Sequence, residues 1–193
     1  MGATLYYLAY GSNLHPYRLR ERVSSSRLVG LVELPGRALR WHLVSGDGSG
    51  KCDAPADGGG ACVLGALYTL AEEEKPLLDR CEALDWLYGE TRIVVRDAGG
   101  RAREAFLYLA LTDHVDADAR PYDWYRDIVL AGARALVLPD DYAAAIAAAP
   151  AVEDPDPERA DDNRRRLERM DAFLRREPVP ELAWWRAGEV PAP

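Results

Sequence analysis

Short apolar runs bounded by turn residues mark the first half of the chain, and apolar positions recur at helical spacing in the second. Tyr6, Leu8 and Tyr10 share one face of an N-terminal strand and Leu5, Tyr7 and Ala9 the other, which predicts a strand buried on both sides. Gly11-Ser12-Asn13 breaks the run, because Gly frees the backbone for φ > 0 and Ser and Asn bond it locally. A helical pattern follows from Tyr17 to Val23, with Asn13 as its expected cap. Strands are predicted over 27–34, 38–45 and 61–70, the last being the most apolar and therefore central. Between them, 45–60 has no pattern and reads as a loop. Thr69 with Glu72 reads as a capping box, the acids Glu72, Glu73 and Glu74 suit a helix start, and Pro76 fits the first turns. Leu70, Leu77, Leu78 and Cys81 are expected on one face of that helix. Trp86-Leu87-Tyr88 leads into a strand ending near Asp97, and the turn Ala98-Gly99-Gly100 pairs it with a strand over 103–111.

Beyond Pro121, Trp124, Ile128, Ala131 and Ala135 align on a helix, and Pro139 starts another through Ala149. The stretch 150–157 is acidic and proline-rich and reads as a linker. A charged helix over 161–177 carries a thin stripe of Leu167, Met170 and Leu174. The end, from Trp184-Trp185 to Pro193, is expected to pack loosely or to meet a partner. Strands first and helices after predict an α+β fold with a barrel or strongly curved sheet. The expected division is a domain over 1–150 and a charged helical extension over 151–193.

Composition narrows the function. The net charge of −8 argues against bulk nucleic-acid or anionic-membrane binding. No apolar run reaches membrane-spanning length, and the start lacks a basic region followed by an apolar one. Cys52, Cys62 and Cys81 form no CxxC pair, and their odd number suits a reducing cytoplasm. The run Gly46-Asp47-Gly48-Ser49-Gly50-Lys51-Cys52 fails as a phosphate loop: its first Gly is displaced, and Cys52 stands where Ser or Thr would hold magnesium. His15, His42 and His114 have no metal-pair spacing, and G-x-S-x-G is absent.

Two places are left for chemistry. Gly11-Ser12-Asn13 reads first as a strand-to-helix turn and second as a loop whose N–H groups hold an anion. Glu82, among Cys81, Ala83, Leu84, Trp86 and Leu87, reads either as a solvated glutamate at a helix end or as a general base whose pKa is raised by apolar surroundings. The residues alone do not choose Glu82 over the other acids. Tyr122, Trp124 and Tyr125 read as helix packing, with a Tyr hydroxyl at a site rim as the alternative.

Four features in this order resemble the γ-glutamylcyclotransferase-like family, which includes γ-glutamylamine cyclotransferases and an antibiotic-tailoring branch. They are Tyr7-Leu8-Ala9-Tyr10-Gly11-Ser12-Asn13-Leu14, Gly58-Gly59-Gly60-Ala61, Leu78-Asp79-Arg80-Cys81-Glu82 followed by Tyr88, and Tyr122-Asp123-Trp124-Tyr125 through Leu138-Pro139-Asp140-Asp141-Tyr142. The resemblance covers about 5–150 and implies a small mixed β-barrel with flanking helices. It implies cyclisation of a γ-glutamyl group to 5-oxoproline with release of an amine or amino acid, without metal or cofactor. It makes Glu82 the catalytic acid/base and assigns the γ-glutamyl substrate to Tyr7, Tyr10, Gly11, Ser12, Asn13, Leu14, Tyr88 and Tyr125. The segment after Glu82 is bulky and one residue short to its Tyr, so the leaving group is expected to differ from that of the glutathione-cycle enzyme. The same features fit two alternatives, a binding module without turnover and an enzyme of a tailoring pathway. The tail offers a homodimer through Trp184 and Trp185, or a solvated helix folded back on the core, which is the preferred reading.

Overall fold

A computed structural model describes residues 2–188. Among the described residues there are eight strands: β1 (Thr4–Ala9), β2 (Arg27–Pro35), β3 (Arg40–Val44), β4 (Gly50–Asp53), β5 (Cys62–Ala71), β6 (Tyr88–Arg96), β7 (Ala102–Ala110) and β8 (Trp184–Gly188). Five helices accompany them: α1 (Pro16–Arg22), α2 (Lys75–Cys81), α3 (Asp123–Ala135), α4 (Asp140–Ala147) and α5 (Pro157–Arg176). Six strands close a barrel in the order β1-β5-β2-β8-β6-β7, and β3 and β4 form a separate hairpin. The barrel is mixed: β2 runs parallel to β8 and β1 meets β7 in parallel at Tyr7 and Phe106, while the other neighbours are antiparallel. The fold is therefore the mixed barrel with flanking helices that the sequence implied.

Leu8, Leu67 and Phe106 fill the core, and Tyr7, Leu8, Ala9 and Tyr10 are all buried, as a strand covered on both sides requires. Burying each large apolar side chain of this kind contributes about 1.5–3 kcal/mol before entropy is counted. Gly132 lets α3 cross the N-terminal loop closely: a Cβ there would stand 2.6 Å from the Leu14 Cβ.

Several local expectations are corrected. The loop over 45–60 contains β4, whose pairing with β3 no hydrophobic alternation announced. Within that hairpin Lys51 Nζ pairs with Asp47 (2.8 Å) and lies over the Tyr125 ring, 4.8 Å from its centroid, so it presents no free ammonium. Asn13 does not cap α1. That cap is His15, whose Nδ1 accepts from the Tyr17 N–H at 3.1 Å, because the Asn13 side chain turns inward. Thr69 is no cap either, since β5 runs on to Ala71. Of the expected apolar face of α2 only Leu78 is buried on the helix; Leu77 and Cys81 are exposed, and Leu70 belongs to β5. The stretch around Trp184 and Trp185 is not loose: it forms β8, and Trp185 packs so closely on Gly30 that a Cβ there would lie 2.6 Å from the indole. The rest of that expectation, 189–193, lies outside the described residues.

Candidate active site

β1 carries the chain out of the barrel at Tyr10 and into a short 3-10 turn, Ser12–Leu14. Gly11 starts the turn with φ −118°, so its use is space and not left-handed geometry. A Cβ there would stand 2.9 Å from the Cys52 Cβ. Among the described residues the N–H groups of Gly11, Ser12 and Asn13 donate to no backbone acceptor outside the turn, which leaves three donors at the head of the loop.

Glu82 ends α2 as its C-cap, with its N–H bonded to Leu78 O (3.0 Å). The helix cannot continue, because Ala83 takes a left-handed φ of 48°. The Glu82 side chain, 14% exposed, enters a four-residue network. Arg22 Nη1 donates to Glu82 Oε1 at 2.5 Å and to Asn13 Oδ1 at 2.9 Å. Asn13 Nδ2 donates to the same Glu82 oxygen at 2.9 Å and to Tyr7 Oη at 3.0 Å. Among the described residues Glu82 Oε2 makes no hydrogen bond. The apolar setting expected for Glu82 is thus replaced by two polar donors on one oxygen, with the second oxygen free. Burial, the largest single influence, opposes the charge on Arg22, but the Glu82 carboxylate together with Cys81, Tyr7 and Tyr125 raises the guanidinium pKa.

Both elements border one cleft, of about 290 Å³ with its mouth included, lined by Tyr7, Tyr10, Gly11, Ser12, Asn13, Cys52, Glu82, Tyr88, Tyr108 and Tyr125. Of the residues expected to bind substrate, Leu14 alone is not in this wall. It is fully buried beneath the loop, where its carbonyl accepts from Tyr68 Oη at 2.7 Å. Burial, reinforced by the Glu82 charge, raises the pKa of the five lining tyrosines, so they stand neutral. Most are already committed. Tyr10 Oη donates to Tyr108 O (2.5 Å), Tyr88 Oη to Cys52 O (2.8 Å) and Tyr108 Oη to Asp79 (2.5 Å). Tyr125 Oη accepts from the Cys52 N–H at 3.2 Å. Burial pushes the Cys52 thiol up to about 12, so it is a neutral wall and not a nucleophile. No group of three metal-ligating side chains occurs among the described residues, and no described helix is long and apolar enough to cross a membrane.

The sequence reading missed Arg22, Cys52 and Tyr108. Tyr108 shares a face of β7 with Phe106 and was open to a facing argument. Cys52 sits on a strand that no pattern revealed, and Arg22 resembles any charge on a short surface helix.

The fold is a mixed β-barrel with flanking helices, and it borders one tyrosine-walled cleft. Residues 62–146 match the model of the AIG2-like family. Among solved structures the chain is similar to one described as "Gamma-glutamyl cyclotransferase", with a TM-score of 0.73 and 21% identity over 84% of this chain and 99% of that one. It is also similar to uncharacterized protein loc79017 from Homo sapiens, with a TM-score of 0.68 and 22% identity over 77% of this chain and 89% of that one. YkqA from Bacillus subtilis gives a TM-score of 0.62 at 24% identity over 77% of this chain and 56% of that one. At these identities the likeness is one of fold. No curated protein sequence gives a significant match.

Proposed function

We propose that the cleft cyclises a γ-glutamyl group to 5-oxoproline by intramolecular aminolysis, with Glu82 as the acid/base. The observation that carries this is the fixed Glu82 carboxylate, one oxygen held by Arg22 and Asn13 and the other free, in the same cleft as three N–H donors. An α-ammonium must lose a proton before it can attack. Glu82 Oε2 takes that proton, and the amine nitrogen bonds to the γ-carbonyl carbon of its own chain. The carbonyl electrons move to oxygen, and N–H groups of the Gly11-Ser12-Asn13 turn stabilise the oxyanion or hold the α-carboxylate. Glu82 passes that first proton to the leaving nitrogen and takes the second from the ring nitrogen; the intermediate then collapses, the bond to the leaving nitrogen breaks, and the released amine takes up the second proton as an ammonium. No water enters the balance. Folding the flexible glutamyl chain against the tyrosine wall supplies the ring-closing pose, which removes much of the entropic barrier.

The fold similarity to a γ-glutamyl cyclotransferase and the AIG2-like match support this reading. A panel of γ-glutamyl amino acids and amines tests it through release of 5-oxoproline and the free amine. Glu82→Gln is expected to lower kcat by at least about 10²-fold on any accepted substrate. Thermal stabilisation by the panel with no product would make the protein a binding module, and full activity in Glu82→Gln would remove Glu82 from its role.

A further inference from the structure

A second concavity shares the β3–β4 hairpin with the cleft and has no part in the cyclisation. It encloses about 820 Å³ with its mouth included, against 290 Å³ for the cleft. Arg40, Trp41 and His42 of β3 form one wall, and Arg120, Pro121 and Pro150 stand in the other.

Both walls are fixed. Between the pairs Arg40–Asp53 and Leu43–Lys51, two residues of β3, Trp41 and His42, stand opposite Cys52 alone. Such a bulge breaks the alternation of a strand and lets consecutive residues serve one face. The Trp41 indole meets the Tyr125 ring edge-on, with centroids 6.2 Å apart at 87°. His42 Nε2 lies 2.9 Å from one oxygen of the buried Asp53 carboxylate, whose other oxygen accepts from the Ala110 N–H at 2.9 Å. The opposite wall is tied to the hairpin through the backbone. The Gly50 N–H donates to Arg120 O at 2.7 Å and the Asp116 N–H to His42 O at 2.8 Å.

The titratable groups that line this groove, Arg40, His42 and Arg120, are all basic, in a chain of net charge −8. The nearby carboxylates are engaged or distant. Asp53 is held by His42 and Ala110, Asp116 Oδ1 accepts from the Asp118 N–H at 2.8 Å, and Asp57 comes no nearer to Arg40 than 4.0 Å. Among the described residues Arg120 pairs with no carboxylate. Its Nη1 donates instead to the carbonyls of Ala117, Asp118 and Ala119, at 3.4, 2.8 and 3.0 Å. That anchors the guanidinium and leaves Nε and Nη2 without protein acceptors among the described residues. These two nitrogens form the edge that grips a carboxylate or phosphate with parallel hydrogen bonds. Trp41 and the two prolines supply flat apolar surface beside it.

We propose that this groove binds a ring-bearing organic anion, with the ring on Trp41 and its carboxylate or phosphate held by Arg120 and Arg40. The site stands independently of the reaction assigned to the cleft. A ring that carries an ammonium meets three basic groups, and a bare anion forgoes the indole.

Nuclear magnetic resonance of the indole N–H groups tests this, with the Trp41 signal assigned by its loss in Trp41→Phe. Phenyl phosphate and benzoate are the probes, and at least one should shift the Trp41 signal saturably; the tighter of the two names the head group. Benzylamine, which has the ring and the opposite charge, and inorganic phosphate, which has charge and no ring, should leave the signal in place at the same concentrations. Binding should weaken as salt rises. In Arg40→Gln/Arg120→Gln the dissociation constant of the tighter probe should rise by about tenfold or more. Arg40→Gln alone, at a side chain 56% exposed that supports no other element, should raise it severalfold and guards against a folding effect. A Trp41 signal that neither aromatic anion moves would overturn the site, as would an equal response to benzylamine. A response to inorganic phosphate as large as to phenyl phosphate would reduce it to an adventitious ion only. A shift that persists undiminished in both variants would put the anion in the cleft, against Tyr125, and would also overturn the proposal.

Discussion

Arg22 decides how the site works at the scale of single residues. One of its nitrogens ties Glu82 to Asn13 across 60 residues of chain on one side and 9 on the other. Hydrogen bonds to charged groups contribute about 1.5–3 kcal/mol each. Lys at this position keeps a charge but carries it on a rotating ammonium at the end of a flexible stem, so it does not hold the two oxygens in one fixed geometry. Arg22→Lys is therefore expected to lower kcat by about 10- to 100-fold with a smaller change in KM, because substrate still meets the loop while the base loses its orientation. Steady-state kinetics on an accepted γ-glutamyl substrate check this, and an unchanged kcat would show that Arg22 only balances charge. No sequence pattern pointed to Arg22. The physical reason is that its partners are remote in sequence, and an arginine ending a seven-residue helix looks the same whether it faces solvent or a carboxylate. The Gly11 turn was legible as a break in a buried strand, but its cause was not: the need is room for Cys52, and the strand carrying Cys52 was hidden in an unpatterned loop.

At the scale of elements, the loop owes its position to what crosses it. α3 lies on the loop at Gly132, and α5 supports α1 from outside through Phe173, whose ring meets Tyr17 at 5.6 Å between centroids, and through Arg166 with Glu21 at 3.2 Å. Gly132→Ala would drive a methyl group to 2.6 Å from the Leu14 Cβ and 3.0 Å from the His15 nitrogen, atoms that cannot swing away. Overpacking of this kind costs about 1–3 kcal/mol. The expected result is a lower urea midpoint with an unchanged slope, together with reduced turnover, since the same displacement moves the N–H donors. A midpoint equal to wild type would mean that the loop is free to yield. The helices α3, α4 and α5 were readable because helical spacing persists over many residues. β8 was not, because its five residues become a strand only when β2 and β6 are already beside them.

For the molecule as a whole, acid tests how it is held together. Burial lowers His15 from 6.5 to about 4, against a smaller opposing effect of Asp171. The folded protein therefore prefers neutral His15, and this contribution is fully present above pH 6.5 and is lost as pH falls towards 4. The Arg159 guanidinium holds the Asp154 carboxyl down from 3.8 to about 2, so its contribution is present above pH 3.8 and is lost towards pH 2. Urea unfolding across this range should therefore show two successive declines. His15→Asn, which retains a capping side chain, should flatten the upper one, and Asp154→Asn the lower. Stability that stays level between pH 6.5 and 4 would contradict the burial of an uncharged His15. The barrel class was legible because strands preceded helices, whereas closure depended on the return of the chain end.

The central claim is that Glu82 drives an attack by the substrate's own amine and not by water. Turnover in water enriched in oxygen-18, followed by mass spectrometry of the glutamyl product, tests this most directly. The predicted result is unlabelled 5-oxoproline from the wild-type protein and almost none from Glu82→Gln. Labelled glutamate, or 5-oxoproline formed undiminished by Glu82→Gln, would contradict it.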